Sequence, residues 1–278
     1  MTIESMLDVE NLTFLEPDYS SLINSGEPAI ILKNAERVLR EARMLIDENE
    51  NPVVFAVESG FDWSATSWSH RNPTAEEIGI FESLDGEIYQ ENRADIDSAL
   101  REYFSRRLVS EISPSADDLT AERVSKVESL IQEYFGEKIS GVCIDACCGS
   151  GVGASILRNM GGEVLAYDND AGLIALGIAQ GRLIPKDTAC IDAKNASAYM
   201  PDADFGLGIM FGQMYEYTKD LWQPIVEELA GITSKTLITV ATNQEALWVK
   251  EWAANVGREL EIFENERDEI YDRWVCFG

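Results

Sequence analysis

The sequence predicts an α/β protein whose larger part is a doubly wound sheet, mostly parallel with an antiparallel last strand. Three observations predict it. Short apolar runs alternate with helical stretches throughout residues 119–278. Most of these runs are nearly continuous in Val, Ile, Leu and Ala, as in parallel strands covered on both faces. Only Glu264–Asp272 separates the last two runs, which is too short for a crossover helix, so they read as an antiparallel pair.

The region before this pattern, residues 1–118, reads as a mostly helical N-terminal cap or substrate region. Val38, Leu39, Ala42, Leu45 and Ile46 keep a helical spacing, and Thr74-Ala-Glu-Glu77 reads as a capping box. Leu100, Phe104 and Leu108 recur every fourth position in a helix expected over Ala94–Ile112. Val53–Val57 is the strand expected here, followed by Phe61, Trp63, Trp68 and His70. The turn-rich acidic stretch Ser113–Asp118 marks the boundary.

Thr120 then caps a helix with a stripe of Val124, Val127, Leu130, Ile131 and Tyr134, stopped by Gly136. Strands are expected at Val142–Asp145, Val164–Tyr167, Thr188–Ile191, Phe205–Met210, Thr236–Val240, Leu260–Phe263 and Arg273–Phe277. Helices are expected at Val152–Met160, Ala171–Gln180, Pro224–Leu229 and Gln244–Ala254.

Composition bounds the function. The 278 residues hold 50 Asp+Glu against 22 Lys+Arg, a net charge of −28, and 45% are hydrophobic, enough for a core. So negative a surface repels phosphate backbones and disfavours nucleic acid as a partner. Small neutral or cationic substrates are favoured. No run reaches the ~18 apolar residues of a membrane helix. Met1–Asp8 has neither a basic start nor an apolar stretch, so a cytoplasmic protein is expected. The five cysteines, Cys143, Cys147, Cys148, Cys190 and Cys276, form no CxxC pair, so neither a disulfide framework nor a metal site is expected.

The chemistry concentrates in Val142-Cys-Ile-Asp-Ala-Cys-Cys-Gly-Ser-Gly-Val-Gly153. A strand ends in Asp145, a loop of small residues follows, and a helix begins near Val152. Glycine at 149 and 151 allows positive φ and close approach to a ligand, and the helix N-terminus offers free N–H groups. Asp168 ends the next strand, 19 positions after Gly149, where a carboxylate can accept both hydroxyls of a ribose. Asp192 follows the third strand. Gly149-Ser-Gly-Val-Gly-Ala154 also satisfies the GxGxxA pattern of nicotinamide cofactors, but there the first glycine directly follows the strand, whereas Ala146–Cys148 intervene here.

In these segments the chain resembles the class I S-adenosylmethionine-dependent methyltransferase superfamily over roughly residues 120–278. The resemblance lies in Asp145-Ala-Cys-Cys-Gly-Ser-Gly151, Tyr167-Asp168, Asp192-Ala193, Asp204–Met210 and the final strand Arg273–Phe277. It implies a Rossmann-like S-adenosylmethionine-binding domain at 119–278. Gly149 and Gly151 would line the methionine portion, with Asp145 holding the loop. Cys147 stands where the family has the loop's first glycine. Asp168 would bind the ribose hydroxyls, with Asn169 beside it, and Asp192 and Ala193 would meet the adenine. Met210–Gly212, with Phe211 at its centre, would lie beside the sulfonium. The implied activity is methyl transfer to a small-molecule acceptor. Cofactor binding without transfer, and RNA or protein methylation, remain as alternatives. Gln213 follows where nucleic-acid amino-methyltransferases carry Asn/Asp-Pro-Pro-aromatic, so that substrate class is disfavoured. The residues offered for catalysis are His70, the only histidine, and Tyr215 after the fourth strand.

Read as an adaptation to a salty host, the acidity predicts stability that rises with ionic strength, because screening relieves self-repulsion. Thermal melts between low and molar salt check this. A flat or falling melting temperature rejects it.

Overall fold

The computed structural model describes residues 1–24, 38–117, 119–268 and 270–278. The chain divides into two compact units, Met1–Leu108 and Val109–Gly278. The division falls ten residues before the expected boundary; Asp118, the last residue of that boundary stretch, lies outside the described residues.

The first unit contains α1 (Ile3–Leu7), β1 (Leu12–Phe14), β2 (Leu39–Ile46), β3 (Pro52–Ser59), β4 (Asp62–Ser67), α2 (Ala75–Ser83), β5 (Glu87–Gln90) and the start of α3 (Arg93–Glu111). Among the described residues, its five strands form one sheet in the order β1-β4-β3-β2-β5. This corrects the expectation of a mostly helical region. The stretch around Ala42–Ile46 is strand β2, antiparallel to β3. Its spacing mimics a helix because both faces are covered. Ala42 and Met44 join a core with Phe55, Val57 and Trp68. On the other face Arg43 lies over the rings of Trp63 and Tyr89, at 5.0 and 5.5 Å. With both faces covered, the period-two signal of a half-buried strand disappears. The capping box at Thr74 does form. Thr74 Oγ1 accepts from the Glu77 N–H at 3.2 Å, and Glu77 Oε2 accepts from the Thr74 N–H at 2.9 Å.

The second unit follows the expected alternation closely. It contains α4 (Ala121–Phe135), β6 (Val142–Ala146), α5 (Val152–Asn159), β7 (Glu163–Asp168), α6 (Ala171–Ala179), β8 (Thr188–Cys190), α7 (Ala196–Tyr199), β9 (Ala203–Gly208), α8 (Lys219–Ile232), β10 (Thr233–Val240), α9 (Asn243–Asn255), β11 (Glu261–Glu264) and β12 (Trp274–Phe277). The seven strands are ordered β11-β12-β10-β9-β6-β7-β8. β8, β7, β6, β9 and β10 run parallel, and β12 lies antiparallel between β10 and β11. β6 is central. The chain winds one way through β7 and β8, then returns to β9 on the other side of β6. The order therefore reverses between β6 and β9, and open α/β sheets bind ligands outside the carboxyl ends at such a point. Among the described residues no helix is long and apolar enough to cross a membrane.

In the first unit, Glu77 is fully buried and pairs with Arg71 through two hydrogen bonds, at 2.6 and 2.8 Å. Burial pushes its carboxyl up, but Arg71 and the Thr74 N–H more than reverse this and hold it below the usual range. Glu77→Ala leaves a mostly buried guanidinium without its partner. It should cost about 3–5 kcal/mol of stability, measured by urea denaturation.

Candidate functional site

The turn after β6 is held by its own strand. Asp145 points from β6 into the start of α5, where its Oδ2 accepts the Ala154 N–H at 2.6 Å. Gly153 makes room for it, because a Cβ at 153 would lie 2.7 Å from Asp145 Oδ1. The loop then passes through Cys147 and Gly149, both left-handed with φ of 50° and 53°. That conformation is strained for cysteine and ordinary for glycine.

Asp168 ends β7 beside this loop. Its Oδ2 accepts the Gly149 N–H and its Oδ1 the Asp170 N–H, each at 2.8 Å. A carboxylate has about four lone-pair sites, so even with the Asn169 N–H also turned to it, Asp168 keeps acceptor capacity for a ligand donor. The two N–H groups fix the plane in which those remaining sites lie.

A cavity of about 270 Å³ opens at the carboxyl ends of these strands. Its walls are Asp145, Cys147–Gly149, Val152 and Gly153 from the β6–α5 turn, Asp168 and Leu173 from β7 and α6, and Ile209 and Met210 after β9. Leu119, just before α4, and Arg123 and Val127 on it form the flank. Its charged groups are two carboxylates and one guanidinium, and Arg123 already pairs with Asp268 at 2.8 Å and with Asp272. The remaining field is negative. Burial, reinforced by Asp168 and opposed by the Ala154 N–H and Arg158, pushes Asp145 up to about 7. Burial also raises Asp168, against the N–H groups it accepts. A cationic ligand suits such a cavity, since it restores the charge state that burial disfavours. Burial and the neighbouring acids also raise the Cys147 and Cys148 thiols far above their ordinary range.

The structure brings Asp145, Cys147, Gly149, Asp168 and Met210 together on this cavity, and not the other expected residues. Gly151 (φ 80°) opens α5 and packs on Leu183, where a Cβ would lie 2.5 Å from the leucine side chain. Asn169 is exposed. Asp192 caps the 193–195 turn through the Lys194 N–H, with Ala193 buried behind it. Phe211 is buried against Trp222, with its ring over Gly208, so Met210 faces the cavity in its place. Tyr215 is half exposed, donates to Gln213 Oε1 at 2.9 Å and stacks on Tyr217. His70 belongs to the first unit, in the turn after β4, and burial lowers its pKa. The sequence reading missed Arg123. Its signal was a basic residue one turn before Val127 in the α4 stripe.

No protein-family model matches the sequence, and the curated proteins return no match. Solved structures do show similarity. Magnesium protoporphyrin IX methyltransferase from Synechocystis, with bound S-adenosylmethionine, is 14% identical over 67% of this chain and 99% of that one, with a TM-score of 0.44. A SAM-dependent methyltransferase from Corynebacterium glutamicum is 19% identical over 64% and 95%, with a TM-score of 0.42. A 16S rRNA N2 G1207 methyltransferase from T. thermophilus is 15% identical over 59% and 44%, with a TM-score of 0.43. The three act on different acceptors or leave theirs unstated, and the site described above stands on this chain's own residues.

The raised Asp145 gives a pH signature. Its folded pKa of about 7 lies above the unfolded carboxylate value of about 3.9, so the native state holds the proton more tightly. The stabilisation from that proton is complete below about pH 4 and is lost as pH rises through 7. Asp145→Asn removes the titration. Relative to this variant, the wild type should lose on the order of 2 kcal/mol between pH 5 and pH 8. Paired urea denaturations at each pH check it, and parallel curves reject it.

Proposed function

We propose that Val109–Gly278 binds S-adenosylmethionine and that the protein is a methyltransferase acting on a small-molecule acceptor. The observation that carries this is Asp168: a carboxylate at the strand tip beside the switch point, oriented by Gly149 and Asp170, with acceptor capacity left for a ligand. This arrangement suits a vicinal diol. The negative cavity suits a sulfonium and an ammonium on one ligand. In this reading Asp168 holds the ribose, the turn of Cys147–Gly149 borders the methionine portion, and Asp145 keeps the turn in place. Met210 faces the same space from β9. Once bound, the cofactor supplies a methyl group activated for direct displacement. The chain's part is to align the partners and exclude water.

Among the described residues, the titratable groups on the cavity are Arg123, Asp145, Cys147, Cys148 and Asp168. Arg123 is paired, and the thiols stay protonated. Asp145 is buried and tied to the Ala154 N–H, and Asp168 is assigned to the ribose, so none is left to serve as a general base, which favours an acceptor already nucleophilic at neutral pH. The same observation favours the second reading, cofactor binding without transfer. The charge of −28 supports a small acceptor over RNA.

Asp168→Ala removes both acceptors. Affinity for S-adenosylhomocysteine should fall about ten- to a hundredfold in a folded variant, by calorimetric titration. Unchanged affinity places the ribose elsewhere, and a wild type that does not bind removes the methyltransferase reading. Methyl transfer from labelled cofactor into host extract, separated by size, distinguishes a small acceptor from RNA, from protein and from no transfer.

A further inference from the structure

We propose that Thr239 is a positioning residue that ties two walls of the cavity together; its effect on cofactor binding rests on the methyltransferase reading. Arg123 and Met210 both line the cavity but come from α4 and from the turn after β9. A continuous set of hydrogen bonds joins them. Arg123 Nη1 pairs with Asp268 and Asp272. Asp272 is buried, and its Oδ1 accepts the Thr239 hydroxyl at 2.6 Å. The same hydroxyl oxygen accepts the Met210 N–H at 2.7 Å, and the Thr239 carbonyl accepts the Phe211 N–H at 2.8 Å. One hydroxyl hydrogen and one of two lone pairs are thus in use, each toward a different partner.

Met210 needs such a hold. Its φ of 54° is the left-handed region, which a side chain disfavours. This turn is what directs Met210 to the cavity and Phe211 to the core. The far end of the relay is equally fixed. Asp268 Oδ1 accepts the Ile270 and Tyr271 N–H groups, and the Asn265 side chain donates to the Asp272 carbonyl. The carboxylate facing Arg123 also polarises the threonine hydroxyl, making its oxygen a better acceptor for the Met210 amide. A polar side chain at the end of a sheet strand therefore sets the shape of the wall after β9.

Thr239→Val keeps the shape and removes the hydroxyl, and Thr239→Ser keeps the hydroxyl. Amide hydrogen exchange is read on peptides covering residues 209–214, and S-adenosylhomocysteine binding by calorimetry. In Thr239→Val, exchange at Met210 and Phe211 should quicken roughly tenfold and affinity should weaken by about the same factor. Thr239→Ser should stay near the wild type in both. If the valine variant does not fold, Thr239→Ala serves as the hydroxyl-free arm. Wild-type exchange in the hydroxyl-free variant overturns the proposal, as does a serine variant that behaves like it. Should the wild type bind no cofactor, the methyltransferase reading falls, while the exchange comparison still decides the role of Thr239.

Discussion

The second unit depends on one hydrogen bond, from the Ala154 N–H to the Asp145 carboxylate. It joins the central strand β6 to the first turn of α5. With it in place, the five residues between strand and helix stand out at the carboxyl edge of the sheet, where the strand order reverses. Gly153 is required because no side chain fits against the carboxylate. The helix N-terminus stabilises negative charge there, while burial opposes it. The turn is therefore bought with a carboxyl that holds its proton to about pH 7.

How much of this was legible follows from where each residue's signal comes from. The alternation in residues 119–278 was readable because its strands are short, nearly continuous apolar runs separated by stretches long enough for helices. The Asp145 loop and Asp168 were readable because the ends of parallel strands are fixed by the strands themselves. The first unit was misread around Ala42–Ile46, where Arg43 packs under aromatic rings and both faces of β2 are covered. β1, β4 and β5 gave no local signal of their own.

The errors at the site are finer. Of the expected segment Met210–Gly212, Phe211 turns into the core because left-handed Met210 rotates the chain after β9, and a methionine gives no warning of positive φ. Gly151 looked like a ligand-facing glycine, but Leu183 explains its missing side chain. Arg123 was hidden in a helix that otherwise reads as core-facing, and its partners lie far along the chain at Asp268 and Asp272. Long-range pairing of this kind leaves no mark on local sequence.

Cys147 and Cys148 sit on the wall of a cavity suited to an alkylating ligand. Sulfur is the strongest nucleophile a protein owns, but only as thiolate. Burial and the flanking carboxylates keep both sulfurs protonated. The acids that make the cavity hospitable to a positively charged electrophile thus also disarm the thiols beside it. In the methyltransferase reading, the surroundings that let cysteine stand at a place where glycine would be easier would also keep its sulfur from taking the methyl group.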